Sequence, residues 1–387
     1  MAKRGTGKEG KPKKAGFRMA LRDSLVKQFG AAEVPTVEDF TEARGLPLLN
    51  NLPLQYVLGT DVLVLGRCIN VIGPWMSGKT QFAWYIAKLF MEFPGFIFWI
   101  ETESKPSREQ IKAILQKDME VIERFVIANP TKTIENVLQK LQICASEFSK
   151  VKPEKGEKKL PLLIMIDSLA GVTSVENVEA MEKDGVAGVG FGAARVASAI
   201  TEQMKAFVPK YLADNPILLL TTNHEKTKIP EPGSFSRGGP GRTTGSGGDH
   251  KDFAATWTLR MVKGNRETRK TSATSTFFWI TAVKNQMGMD GNKLVVPVYT
   301  YVRDNQKVIE YDWDYSLVNL LGIDGPFAQD AVKEIIDFQR TGLKCTSTTL
   351  GVKDPIHPTE LGKMIHADET IARNLQNLMG ITICDKV

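Results

Sequence analysis

Gly73-Pro74-Trp75-Met76-Ser77-Gly78-Lys79-Thr80 directly follows an apolar run, Cys68 to Ile72, and precedes a segment that reads as a helix. The pattern is GxxxxGK[ST] between strand and helix, the context a phosphate-binding loop requires. Its residue types answer to the chemistry. Glycines let successive backbone N–H groups close around phosphate oxygens, and the helix N-terminus adds positive potential. Lys79 is placed to reach the β- and γ-phosphates, and Thr80 to hold Mg²⁺ through its hydroxyl. The expected ligand is a nucleoside triphosphate.

From Arg67 onward apolar runs alternate with helical patterns, which predicts an α/β fold with a central, mostly parallel sheet. Strands are expected near 68–72, 96–101, 124–128, 162–167 and 216–222, with helices near 79–92, 107–118, 133–148 and 192–212. In the segment 133–148, Ile134, Val137, Leu138, Leu141, Cys144 and Phe148 fall on one helical face. Further strands are expected near 253–262, 275–284 and 294–303, with Gly264-Asn265 suited to a turn. Residues 17–33 read as a short helix, and the next stretch, to about residue 66, as irregular and Pro/Leu-rich. Residues from about 320 read as mostly helical, with an irregular stretch from Thr346 to His357.

Three further signals complete a hydrolytic set. Leu162 to Ile166 is an apolar strand ending in Asp167-Ser168, a Walker B arrangement in which Asp167 supports Mg²⁺. Phe98-Trp99-Ile100-Glu101-Thr102-Glu103 ends in two acids at i and i+2. Both would point to one face if the extended backbone continued. One could polarise the attacking water, although solvent exposure alone also leaves acids at strand ends. Thr222-Asn223-His224 places a histidine where it could meet a γ-phosphate or the lytic water; an ordinary loop histidine fits the same sequence.

The chain has 387 residues, 42% hydrophobic and 24% charged, enough for one large domain with appendages. Its net charge of +6 equals that of residues 1–18 alone, where Lys3, Arg4, Lys8, Lys11, Lys13, Lys14 and Arg18 face one acid, Glu9. Any anionic partner must therefore be met by the tail or by a local patch. Cys68, Cys144, Cys345 and Cys384 are far apart with no CxxC pair, the pattern of reduced intracellular cysteines. No apolar run approaches the ~18 residues of a membrane span. No membrane partner and an intracellular, cytoplasmic location are predicted.

The ordered set of GPxxSGKT loop, Glu-x-Glu strand end, Ile-Asp-Ser Walker B and strand ending in Asn-His resembles the RecA/UvsX recombinase family. Gly192-Ala193-Ala194-Arg195, Thr243-Thr244-Gly245-Ser246-Gly247-Gly248 and Val283-Lys284-Asn285 extend the resemblance over residues 60–300 or so. Histidine rather than glutamine at 224 is similar to the phage UvsX branch. The resemblance implies a RecA-like P-loop core, its central sheet flanked by helices and carrying a β-hairpin extension, with small N-terminal and C-terminal appendages. It also implies ATP-dependent assembly into a helical filament on single-stranded DNA, followed by strand exchange with homologous duplex DNA.

Carried over by position, Gly73 to Thr80 and Glu101 bind ATP, Thr80 and Asp167 hold Mg²⁺, and Glu103 activates water. His224 links the γ-phosphate to a DNA loop, and Lys284 reaches the neighbouring protomer's ATP. The family's second trans-acting lysine is replaced by Gln286, Trp75 and Met76 depart from its smaller loop residues, and its acidic C-terminal tail is missing.

Two segments are candidates for DNA contact, 175–190 and 225–250. The second has seven glycines between Gly233 and Gly248, with Lys226, Lys228, Arg237 and Arg242 against Glu225, Glu231 and Asp249. Glycine-rich backbone and basic side chains suit phosphate contact, and Phe235 suits base stacking. Thr243, Thr244 and Gly245 join this set by resemblance. The first segment carries Glu176, Glu179 and Glu182 and rests on position alone. The expected organisation is a basic tail at 1–16, an oligomerisation segment at 17–45, the ATPase core at 46–315 and a small C-terminal domain at 316–387. Alternative readings are a hexameric RecA-fold helicase and a non-catalytic ATP-binding accessory protein.

Overall fold

The computed structural model describes residues 44–48, 51–103, 115, 124–128, 130–153, 155, 159–184, 192–227, 243–245, 254–268, 274–303, 306–322, 326–327, 337–339 and 344–386. By its contacts the chain divides into Met1–Ala43 and Arg44–Val387. The basic tail and the segment expected to drive oligomerisation lie outside the described residues, apart from the latter's last two residues. So does the helix expected at 107–118, except for Leu115.

The chain enters through β1 (Arg44–Pro47), α1 (Leu52–Leu58), β2 (Val62–Val64) and β3 (Arg67–Gly73). Next come α2 (Lys79–Phe90), β4 (Phe96–Glu101), β5 (Phe125–Ala128), α3 (Ile134–Lys150) and β6 (Leu162–Asp167). Helices α4 (Val175–Asp184) and α5 (Gly192–Phe207) precede β7 (Ile217–Thr227) and β8 (Thr243–Gly245). Long strands β9 (Trp257–Thr268), β10 (Thr274–Asn285) and β11 (Lys293–Arg303) lead to β12 (Gln306–Tyr311) and α6 (Trp313–Leu321). The chain closes with β13 (Asp337–Gln339), β14 (Lys344–Ser347), β15 (Val352–Ile356), α7 (Pro358–Ala367), α8 (Glu369–Leu378) and β16 (Asp385–Lys386).

The main sheet has the order β12-β11-β10-β9-β3-β7-β6-β4-β5, with β8 paired to β7. From β9 to β5 the neighbours are parallel; from β9 to β12 they are antiparallel. The sheet is thus mixed rather than mostly parallel. Of the thirteen strand pairings among the described residues, seven are antiparallel. The reason is the run after Thr256, whose strands follow one another without crossover helices and so fold back on their neighbours.

Other expectations change with local chemistry. The stretch before residue 66 holds α1, capped by the Asn51 side chain and ended by Gly59 at φ 70°. All seven α1 residues are buried, so it lacks the one-sided pattern that marks a surface helix. Gly264-Asn265 is not a turn. It is a bulge inside β9, where register shifts between the pairs Lys263–Phe278 and Arg266–Thr276. The stretch from Thr346 to His357 contains a hairpin of β14 and β15, turned at Gly351 with φ 68°. Pro209 follows α5, and the backbone there changes from α to a five-residue π turn, Val208–Leu212.

Strand β6 is buried along its whole length, as a central parallel strand should be. Leu162, Ile164 and Ile166 pack with α3 and α5 residues such as Leu141 and Ile200. Against the outer strands, Trp84 of α2 stacks on Phe125 and tilts over Trp99 at 4.0 Å. Helix α6 packs on α7, α1 and β11. No helix among the described residues is long and apolar enough to cross a membrane.

The α3 register is testable. Leu141 is fully buried and Ile143, two residues on, is 54% exposed. Leu141→Ala is expected to cost about 2–5 kcal/mol in chemical denaturation. Ile143→Ala should stay within roughly 0.5 kcal/mol of wild type.

Candidate active site

The carboxyl ends of parallel strands are where an α/β sheet holds its ligand. Strand β7 lies between β3 and β6, so the ends of β3, β7, β6 and β4 sit side by side. Gly73 and His224 are register partners, as are Glu101 and Asp167. A cleft of about 350 Å³ at these ends is lined by the phosphate loop, Glu103, Asp167, Ser168 and His224. Lys263, Thr276, Phe278, Val298 and Thr300 of the antiparallel strands close its far side.

The loop's glycines are required by space and by backbone angle. A Cβ on Gly73 would lie 2.1 Å from the Met261 carbonyl oxygen, because β9 passes against the loop's root. Gly78 has φ 83°, and a Cβ there would meet the Phe278 ring at 2.7 Å. Met76 also takes a left-handed conformation, φ 58°. Successive N–H groups in such alternating conformations make an anion-binding nest. Trp75 and Met76 stand at its tip, 83% and 73% exposed.

Lys79 is buried, and its ammonium donates to the carbonyls of Pro74 at 2.7 Å and Gly73 at 3.2 Å. Thr80 donates its hydroxyl to Asp167 Oδ1 at 3.2 Å, and Thr222 donates to the same oxygen. Burial lowers the Lys79 ammonium below its ordinary value, against the opposing charges of Asp167, Glu103 and Glu225. Burial likewise raises the Asp167 carboxyl, with Glu103 adding to the rise and Thr222, Thr80 and Lys79 opposing it. For both groups desolvation outweighs attraction. The site thus holds a buried cation and a buried anion, each short of compensation, a combination that makes it a candidate functional site.

The two acids of the Glu-x-Glu end do not share a face. Strand β4 ends at Glu101, and the backbone bends immediately after it. Glu101 is buried and accepts the N–H groups of Thr102 and Glu103 at 3.0 and 2.8 Å. It shapes the bend and is not among the residues lining the cleft. Glu103 emerges into the cleft, 3.7 Å from His224 Nε2. Burial lowers the His224 imidazole below its ordinary value, helped by Lys79 and opposed by Glu103 and Asp167.

Strand β7 continues past His224 to Thr227, further than expected, and pairs with β8 through Glu225–Gly245, Lys226–Thr244 and Thr227–Thr243. The Gly-rich segment is therefore closed at its base by a ribbon that is the direct extension of the His224 strand. Glu225, whose side chain is only 5% exposed, accepts from Arg260 Nε at 2.7 Å. Lys228, Phe235, Arg237 and Arg242 lie outside the described residues. The first ten residues of the 175–190 segment form helix α4 rather than a loop. Lys284 sits on β10 opposite Thr258, away from this cleft, and Asn285 is buried, its side chain accepting from the backbone N–H groups of Met287 and Gly288.

Sequence reasoning missed Ser168, which lines the cleft, Thr222, which donates to Asp167, and Lys263 and Phe278 on the cleft's far side. The first two carried a signal, since each abuts a strand end already assigned to the site. Lys263 and Phe278 come from strands some 180 residues beyond the loop, and nothing local connects them to it.

The residues fit Mg²⁺ with a phosphate chain. Mg²⁺ keeps several waters and takes one or two protein oxygens plus phosphate; the Thr80 hydroxyl and Asp167 carboxylate are such oxygens. Among the described residues no group of three or more His, Cys, Asp or Glu side chains forms a metal cage, and this mode of binding needs none.

The raised Asp167 carboxyl has a pH signature. The folded state holds this proton to higher pH than the unfolded chain does. That contribution is complete below the unfolded value and is lost as pH rises through the folded one. Asp167→Asn is therefore expected to raise the denaturation midpoint at pH 7, the gain over wild type vanishing below about pH 4. Denaturant titrations at both pH values check it.

No protein-family model matches the chain, and the curated proteins include no significant match, so the chemistry of the cleft itself has to carry the functional reading.

Proposed function

We propose that the chain is an ATP-dependent homologous-recombination protein with a RecA-like core. On this reading it assembles as a helical filament on single-stranded DNA, hydrolyses ATP at protomer interfaces and exchanges strands with homologous duplex. The observation that carries the reading is one strand with two duties. Strand β7 brings His224 to the hydrolytic cleft and, within three residues, becomes one side of the ribbon at the base of the basic, Gly-rich segment.

The chemistry follows from the residues present. The loop N–H groups and Lys79 hold the β- and γ-phosphates, whose oxygens replace the carbonyls that Lys79 now contacts. Thr80 and Asp167 would hold Mg²⁺, which would neutralise charge on the phosphates. Glu103 takes a proton from water as its oxygen bonds to the γ-phosphorus and the bond to the β–γ bridging oxygen breaks. His224 reads the γ-phosphate, and its displacement moves the ribbon. Lys284, outside this chain's own cleft, serves the adjacent protomer's nucleotide. The Gly-rich segment grips DNA through backbone N–H groups, Lys226, Lys228, Arg237 and Arg242, with Phe235 stacking on bases.

Lys79→Ala is expected to abolish DNA-stimulated ATPase activity. Glu103→Gln should keep nucleotide binding and filaments but slow turnover by roughly 10²–10⁴-fold. Wild-type turnover in Glu103→Gln would remove it as the base. Electron microscopy with a nonhydrolysable analogue should show filaments on single-stranded DNA; closed rings would support a helicase instead.

Replacing both Arg237 and Arg242 with alanine should reduce the slope of log affinity against log salt by about 1–2. Unchanged DNA binding would contradict the assignment of this segment.

A further inference from the structure

We propose that Ser168 is a positioning residue for Glu103: its hydroxyl holds one carboxylate oxygen so that the other is presented to water. The inference rests on the reading of Glu103 as base and goes beyond it. Ser168 Oγ donates to Glu103 Oε1 at 2.6 Å, and the serine is almost fully buried. Glu103 needs such a tether. It lies two residues past the end of β4, its side chain is half exposed, and a long flexible acid in that setting samples many rotamers.

Ser168 is itself held from both sides of its peptide. Its N–H donates to Thr102 Oγ1 at 2.8 Å, and the Thr102 hydroxyl donates to the Ser168 carbonyl at 2.7 Å. The Thr102 N–H donates to the Asp167 carbonyl at 3.0 Å. The ends of β4 and β6 are thus cross-linked, and Asp167 and Ser168 become one rigid unit with two tasks. Asp167 faces Thr80, and Ser168 fixes the acid.

Gly171 also lies against Glu103. A Cβ there would come within 3.1 Å of both Glu103 Cγ and Thr102 Oγ1. Oε1 also lies 3.7 Å from His224 Nε2, so it is the engaged oxygen and Oε2 the one left for chemistry. In the hydrolytic step the water proton goes to Oε2; Ser168 keeps its own proton and bond throughout.

The test measures kcat, KM and the affinity for a nonhydrolysable ATP analogue in Ser168→Ala, Ser168→Thr, Gly171→Ala and Glu103→Gln, and in Ser168→Ala combined with Glu103→Gln. Ser168→Ala is expected to lower kcat roughly 10- to 100-fold, the scale of a misplaced catalytic group, with analogue affinity unchanged. Ser168→Thr, which keeps the hydroxyl, should restore most of the loss. Gly171→Ala, whose added methyl would press on Glu103 Cγ, should lower kcat without changing analogue affinity. The double variant should turn over no more slowly than Glu103→Gln, because the serine acts only through the acid. Wild-type kcat in Ser168→Ala, or multiplicative losses in the double variant, would overturn the Ser168 role while leaving Glu103 as base. Wild-type kcat in Glu103→Gln would instead overturn the base reading itself.

Discussion

The burial of Lys79 and Asp167 within one cleft is the constraint on which the rest of the site is built. Each charge is taken from water, and each titrates as if desolvation cost more than the other returns. The ammonium is held on loop carbonyls and the carboxylate by two threonine hydroxyls. That arrangement is preorganised for an anion and a cation that arrive together. It is maintained by rigid surroundings: β6 fully buried, β9 against Gly73, and Phe278 against Gly78.

On the proposed function, the position of β7 would let the cleft report on what it binds. Because β7 separates the loop strand from the Asp167 strand, its end is the centre of the site. Glu225, the residue after His224, is buried and paired across β3 to Arg260 of β9. Loss of Arg260 would leave a buried carboxylate uncompensated, so the base of the ribbon is fixed to the sheet on both sides of the phosphate loop.

Much of this could be read from local sequence, and the remainder fails for identifiable reasons. That the loop, Asp167, Glu103 and His224 lie together was legible because each is at or near the carboxyl end of an apolar strand pattern, where pattern and chemistry coincide. The two acids of the Glu-x-Glu end were not separable, since their divergence depends on a backbone bend that Glu101 itself caps. Helix α1 was hidden by complete burial, although Asn51 and Gly59 marked its ends. The mixed character of the sheet came from strands without intervening helices, whose direction follows from connection length more than from composition. Lys263 and Phe278 reach the cleft only through the antiparallel register of β9 and β10, with a bulge at Gly264-Asn265. Long-range pairing of that kind leaves no trace in a single strand's pattern.

The central claim is that occupancy of the cleft by a triphosphate changes the grip of the ribbon's segment on a polynucleotide. The direct measurement is single-stranded DNA affinity with Mg²⁺ and a nonhydrolysable ATP analogue, with Mg²⁺ and ADP, and with Mg²⁺ alone, at matched ionic strength. The account predicts that the analogue tightens binding at least tenfold, about 1.4 kcal/mol of coupling, and that ADP does not. Equal affinity in all three conditions would contradict it.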